Sequence, residues 1–250
     1  MIWLRSVLFN LVFFPLTAVL AILGLLLLVA PPRMMQAYAR FWCRLSIALL
    51  RLICGIRLRI TGLEHLPAGA ALIAAKHQSA LDTLVWPMLL PNFAYVLKRE
   101  LMRIPFFGWE MRHAGMIPVD RGAGAAAMRA LLRDGKAAAA EGRQIVIFPE
   151  GTRVAPGARA PYQPGIVALA SATGLPVIPV ATDSGRAWGR RSFRKLPGTV
   201  TVAILPPLPQ GLARAELLNR LEFVIETATD RLLAGENPVD KAVDDAPAAA

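Results

Sequence analysis

The chain has 250 residues, 55% of them hydrophobic, and a formal net charge of +11 from 28 Lys and Arg against 17 Asp and Glu. Its mean hydropathy of +0.47 is high for a soluble globular protein. The length fits one α/β domain with a short appendage better than two full domains. The charge argues against a nucleic-acid binder, because the basic residues sit among Leu, Ile, Val and Phe rather than in a solvated patch.

Charge and hydropathy are distributed unevenly. From Met1 to Leu63 stand Arg5, Arg33, Arg40, Arg44, Arg51, Arg57 and Arg59, and no acid. Ser6 to Pro32 carries no charge, and Leu11 to Ala30 is mostly Leu, Val, Ala and Phe. About 20 such residues suffice to span a bilayer. A secretory signal has a shorter apolar core and a small-residue cleavage site, whereas this run meets Pro31-Pro32-Arg33. Met34 to Leu58 reads as an amphipathic helix, with Arg40, Arg44 and Arg51 at roughly helical spacing among Phe41, Trp42, Leu45, Leu49 and Leu52. Basic charge on such a surface suits anionic lipid headgroups. Two helices joined at Pro31-Pro32 are expected either to span once and lie flat or to dip together into one leaflet. Cys43 and Cys54, eleven apart, would lie roughly 16 Å apart on one helix, too far for a disulfide. They read as small buried hydrophobes.

From about residue 56 the pattern becomes α/β. Strands are expected at Ala71–Ala75, Phe93–Leu97, Met116–Val119, Ile145–Phe148, Val177–Ala181 and Thr199–Leu205. Helices are expected at Thr83–Leu90, Gly124–Glu141, Gly165–Thr173 and Leu212–Leu233. The alternation predicts a largely parallel mixed sheet flanked by helices. The expected organisation is a membrane-associated N-terminal segment (1–58), an α/β domain (59–234) and a disordered Ala/Pro/Asp tail (235–250).

Three strand ends carry polar clusters. The first is Lys76-His77-Gln78-Ser79-Ala80-Leu81-Asp82. Five residues turn through about 500° of helix, so His77 and Asp82 meet only if the histidine is in the loop and the aspartate in the first helical turn. The carboxylate would then fix one imidazole nitrogen and leave the other as a general base. The plainer reading makes Ser79 an N-cap, with Asp82 completing a capping box. The second cluster follows Gly115-Met116-Ile117-Pro118-Val119 as Asp120-Arg121, and the third is Phe148-Pro149-Glu150-Gly151-Thr152-Arg153. Carboxyl ends of parallel strands line the ligand crevice. There Arg121 and Arg153 suit a phosphate, which a guanidinium binds bidentately. Ion pairs with Asp120 and Glu150 are the plainer reading of those arginines.

His77-x4-Asp82 and Phe148-Pro-Glu-Gly-Thr-Arg153, in this order, resemble the glycerolipid acyltransferase family. The bacterial 1-acyl-glycerol-3-phosphate acyltransferases are the most similar branch. Lys98-Arg99-Glu100-Leu101, Pro105-Phe106-Phe107-Gly108-Trp109, Val119-Asp120-Arg121 and Val177-Ile178-Pro179-Val180 support the resemblance, which covers roughly residues 40 to 210. Pro118-Val119 stands where that family often has Phe-Ile or a similar pair before Asp-Arg, a mild departure. The resemblance implies that His77 is the base and Asp82 its orienting partner, that Arg121 binds the acceptor phosphate, that Glu150, Gly151, Thr152 and Arg153 form the acceptor block, and that Lys98 also binds substrate. It implies lysophosphatidic acid as acceptor and acyl-CoA or acyl carrier protein as donor, with no cofactor and no metal.

Direct transfer is expected, with the oxyanion held by backbone N–H groups at the helix start. Ser79 is disfavoured as a nucleophile, and the cysteines have no base nearby. Phe106, Phe107 and Trp109 read equally as an apolar lip or as core. The run Arg186, Arg190, Arg191, Arg194 and Lys195 suits anionic lipid, coenzyme A phosphates or a solvated loop. Other readings are acylation of lyso-ornithine lipid, which would need the two arginines less, and an idle membrane-binding protein, against which the intact His77 and Asp82 stand. The expected location is the inner membrane, site facing the cytoplasm. Acyl-chain preference and oligomeric state are not legible in the sequence.

Overall fold

The structure is a computed structural model that describes residues 1–239. Its centre is a seven-stranded sheet in the order β1-β7-β6-β2-β5-β3-β4. The strands are β1 (Ile56–Thr61), β2 (Ala71–Ala75), β3 (Phe93–Lys98), β4 (Ile117–Val119), β5 (Gln144–Ile147), β6 (Val177–Thr182) and β7 (Gly198–Ile204). All neighbours pair in parallel except β6 and β7. The largely parallel mixed sheet expected from the sequence is therefore present, and β6, β2, β5, β3 and β4 open onto one edge.

Alternation along the strands divides the core into two layers. Ile73, Val146, Ile178 and Val180 face one layer, with Phe9, Met35, Cys43, Leu50 and Trp86. Leu72, Ile145, Ile147 and Ala181 face the other, with Leu131, Ile166, Leu169, Leu221 and Ile225. The second layer is closed by α5 (Gly124–Ala140), α6 (Gly165–Thr173) and α7 (Arg214–Leu233). The first is closed by α1 (Ile2–Gly24), α2 (Pro32–Leu49) and α3 (Asp82–Leu89), with α4 (Phe107–His113) packed beside them. Each fully buried Leu, Ile or Phe contributes roughly 1.5–3 kcal/mol, so the N-terminal helices are part of the core.

The apolar run continues from α1 through a 3-10 segment, giving a helix over Ile2–Val29 that is long and apolar enough to cross a membrane. It lies antiparallel to α2: Trp42 Nε1 donates to Thr17 Oγ1 at 3.1 Å, and Tyr38 Oη to the Leu20 carbonyl at 2.7 Å. Both ends are tied to the α/β unit. Ser6 Oγ accepts from Lys195 N at 3.0 Å and Asn10 Oδ1 from Lys195 Nζ at 2.7 Å, while His113 Nε2 lies 2.8 Å from the Ala30 carbonyl. Gly24 lets α4 approach, since a Cβ there would fall 1.9 Å from Glu110 Oε1. The outer face, with Leu4, Leu8, Leu11, Phe14, Ile22 and Leu26, is exposed. Cys43 and Cys54 are buried free thiols, as the sequence suggested.

Several local expectations change. The helix expected to run to Leu58 ends at Cys54, because Gly55 takes a left-handed conformation (φ 72°) and stops it. Arg57 and Leu58 belong to β1 instead, which pairs with β7 from Ile56 opposite Gly198. The helix α3 starts at Asp82, with Leu81 as its N-cap residue, but the reciprocal bonds of the expected capping box form just ahead of it: Leu81 N donates to Ser79 Oγ and Ser79 N to Asp82 Oδ2. Of the run expected at lipid or phosphates, Lys195 is buried beneath α1, and Arg186 Nη1 donates to the Leu233 carbonyl at 3.3 Å. Of the expected tail, Asn237 Oδ1 accepts from Thr61 Oγ1 at 3.4 Å and Val239 packs on the core; positions 240–250 lie outside the described residues.

Candidate active site

The strand β2 is wholly apolar and buried, and the chain changes character as it leaves the sheet at Lys76. His77 lies in the loop and Asp82 in the first turn of α3, which brings them together: His77 Nδ1 is 3.0 Å from Asp82 Oδ2. The same oxygen accepts from Gln78 N at 2.7 Å and Ser79 N at 2.8 Å. Three partners on one oxygen hold the carboxylate rigidly, and Asp82 is 4% exposed. The imidazole stacks on Phe148, ring centroids 4.1 Å apart and planes 20° apart. Phe148 stacks in turn on Tyr95 at 6.3 Å. The other ring nitrogen, Nε2, has no partner among the described residues. An imidazole fixed at Nδ1 by a carboxylate, with Nε2 free, is disposed to take a proton from a hydroxyl.

The loop after β5 lies against this pair. Val154 N donates to the His77 carbonyl at 2.8 Å, and His77 N donates to Glu150 Oε2 at 2.9 Å. Glu150 is 3% exposed and turns inward, where Lys76 Nζ lies 2.6 Å from its Oε1. Burial raises its pKa and the Lys76 ammonium opposes that rise. Its carboxylate therefore braces the loop instead of facing the crevice. Gly151 holds φ +67°, and a Cβ there would lie 3.5 Å from the Arg121 guanidinium carbon. That packing brings Arg121, at the end of β4, onto the Gly151-Thr152-Arg153 turn.

The plainer reading of the arginines does not hold. Asp120 Oδ2 accepts from Arg99 Nη1 at 3.0 Å, and Glu150 is engaged by Lys76. Among the described residues neither Arg121 nor Arg153 has an acidic partner. Arg121 and Thr152 are exposed and Arg153 is half-buried. Lys98, at the end of β3, is exposed and lies 3.1 Å from Glu100 Oε1, so it is already paired. Phe106 and Trp109 are exposed, 5.7 Å apart edge to face, and Phe107 is half-buried.

Four of the backbone donors near the helix start are already occupied. His77 N binds Glu150, Gln78 N and Ser79 N bind Asp82, and Leu81 N binds Ser79 Oγ at 3.1 Å. Ser79 is fully buried in that turn. Sequence reasoning missed Lys76, Phe148 and Glu226 as parts of this surround. Lys76 Nζ donates to Glu226 Oε1 at 2.6 Å across 150 residues of chain, a pairing no local pattern announces. In sequence Phe148 reads as the end of a strand and the start of the Phe-Pro-Glu-Gly-Thr-Arg block, with no role against the imidazole. Among the described residues no three His, Cys, Asp or Glu side chains cluster as metal ligands.

A fixed imidazole–carboxylate pair and two unpaired arginines at the carboxyl edge of a parallel sheet, with an apolar helix pair over one face, describe a membrane-associated α/β enzyme. The family model described as Acyltransferase matches residues 57–183. A 1-acyl-sn-glycerol-3-phosphate acyltransferase from Pseudomonas aeruginosa is 37% identical over 213 residues, 81% of this chain and 82% of that protein. One of the same name from Limnanthes douglasii is 33% identical over 158 residues, 62% of this chain and 56% of its own length. The crystal structure of the 1-acyl-sn-glycerophosphate acyltransferase of Thermotoga maritima superposes with a TM-score of 0.75 at 22% identity, covering 94% of this chain and 98% of that one. The chain belongs to the acyltransferase family.

Proposed function

We propose that the protein is a 1-acyl-sn-glycerol-3-phosphate O-acyltransferase, moving an acyl chain from a thioester to the sn-2 hydroxyl of lysophosphatidic acid. The observation that carries the reading is His77, fixed through Nδ1 by Asp82 with Nε2 free, beside two arginines that lack acidic partners. Relatives that carry that name across most of this chain's length support the choice of acceptor.

In this reading Nε2 of His77 takes the hydroxyl proton as the oxygen bonds to the thioester carbonyl carbon. The tetrahedral intermediate collapses, the C–S bond breaks, and the proton on His77 passes to the departing thiolate. The products are phosphatidic acid and a free thiol. Asp82 holds the tautomer and stabilises the imidazolium. Arg121 and Arg153 hold the acceptor phosphate, and Gly151 and Thr152 shape the turn that presents Arg153. An acyl-enzyme on Ser79 is disfavoured because that hydroxyl is buried and bonded to Leu81 N. The donor is acyl-CoA or acyl carrier protein, and no step calls for a cofactor.

Residues 1–54 act as the membrane-associated segment, and the α/β unit from β1 onward carries the chemistry. Because α1 is tied to the α/β unit at both ends, the helix pair dips into one leaflet with its exposed leucines in lipid. That leaflet is the cytoplasmic face of the inner membrane, where basic residues meet anionic headgroups.

The test is an acceptor panel: purified protein in detergent with an acyl-CoA, offered lysophosphatidic acid or lyso-ornithine lipid. Phosphatidic acid is expected from the first. Acylation of lyso-ornithine lipid alone would overturn the substrate and keep the chemistry. Neither product would overturn the enzyme reading in favour of a membrane-binding protein.

A further inference from the structure

Behind His77 lies a buried ionic chain that the acyl-transfer steps do not use. Lys76 is 1% exposed, and its Nζ sits 2.6 Å from Glu150 Oε1 and 2.6 Å from Glu226 Oε1. Glu226, on α7, is 3% exposed; its Oε1 accepts from Tyr162 Oη at 3.0 Å, and Arg159 Nη1 lies 3.3 Å from its Oε2. Lys76 is thus the buried cation between two buried carboxylates, while Arg159 reaches Glu226 from the surface and also pairs with Asp230 at 2.6 Å. Glu226 lies beyond the stretch 57–183 that matches the family model.

A buried ion pair is weak evidence of added stability, since desolvation offsets most of its attraction. What distinguishes this chain of charges is where it ends. Glu150 spends one oxygen on Lys76 and the other on the backbone N–H of His77. The residue that carries the imidazole is therefore held from behind by a carboxylate whose ionisation and position depend on Lys76. Asp82 fixes the ring, and Glu150 fixes the backbone from which the ring projects.

We propose that Lys76 is a positioning residue: clamped by Glu226 of the C-terminal helix, it holds Glu150 turned inward and aimed at the His77 amide, and so sets the base in register with the acceptor hydroxyl. The inference rests on the function proposed above, with His77 as base. Without Lys76, Glu150 is a buried carboxylate with no cation beside it. It protonates or turns away, and His77 loses its rear hydrogen bond. A displacement of about 1 Å at a reacting group costs roughly 10²-fold in rate. Arg121 is on the end of β4 and is untouched; Arg153 follows Glu150 in one loop, which Val154 N still ties to the His77 carbonyl.

The experiment is steady-state kinetics of full-length protein with lysophosphatidic acid and an acyl-CoA, beside melting temperatures. Lys76→Met should lower kcat by at least 30-fold with the acceptor KM within about 2-fold of wild type. Glu226→Gln, which keeps the side-chain volume, should lower kcat by a smaller factor in the same KM-independent way. In Lys76→Met/Glu150→Gln a neutral amide oxygen can accept from His77 N without a buried charge, so kcat should recover at least 5-fold over Lys76→Met. If Lys76→Met does not fold, the kcat of Glu226→Gln carries the test. Lower melting temperatures with unchanged kcat, or a double variant no faster than the single, would overturn the positioning role. An inactive wild type would overturn the function instead, so the two failures are distinguishable.

Discussion

His77 and Asp82 stand five residues apart, and a loop followed by one helical turn brings Nδ1 to 3.0 Å from Oδ2. That pairing was legible because it is local. The inward turn of Glu150 was not: the cation that draws it in is buried, and the residue that clamps that cation is on the last helix. The arginines were legible as chemistry but not as free groups, since Asp120 pairs with Arg99 rather than with its neighbour Arg121. Arg121→Lys should raise the acceptor KM about 10-fold and change kcat little, because an ammonium cannot reproduce a bidentate fork. Acceptor-dependent initial rates check this, and an unchanged KM would remove Arg121 from the phosphate site.

The elements that escaped sequence reading are those whose pattern is short or ambiguous. The α4 helix has only seven residues. Ile56-Arg57-Leu58, the start of an alternation that runs on through Arg59 and Ile60, was absorbed into a preceding amphipathic helix, and only the left-handed Gly55 separates the two. Packing of α4 against Gly24 also buries Glu110, which is 7% exposed with Oε1 unpartnered among the described residues. Burial pushes its carboxyl up to about 7. A carboxyl raised in the folded state favours folding below its unfolded pKa, and that contribution is lost as pH rises through the folded one. The protein should therefore lose stability between about pH 4.5 and pH 7 through this group. Glu110→Gln should remove that loss, adding on the order of 2 kcal/mol at pH 8. Chemical denaturation at pH 5 and pH 8 measures it, and equal gains at both would refute the assignment.

For the molecule as a whole, layer order was readable from alternation, while the place of α1 was not. Hydropathy alone marks Ile2–Val29 as apolar; the structure shows that it also closes one face of the sheet. Deleting residues 1–30 should therefore yield aggregated protein rather than a soluble active domain, because Tyr38, Trp42 and Trp188 lose the partners that α1 gives them. Recovery of a monodisperse, active truncation would contradict this. Vesicle binding should favour anionic over neutral lipid at low salt, and a residual apolar component should survive about 1 M salt.

The central claim is that His77 is the base in direct acyl transfer to lysophosphatidic acid. The most direct measurement is phosphatidic acid formation by wild type and by His77→Ala at saturating acceptor and acyl-CoA, with melting temperatures matched. The account predicts a loss of at least 10²-fold in kcat, and no acylated protein by intact mass in either form. Equal rates in the two proteins, or an acyl adduct that forms and decays at the turnover rate, would contradict it.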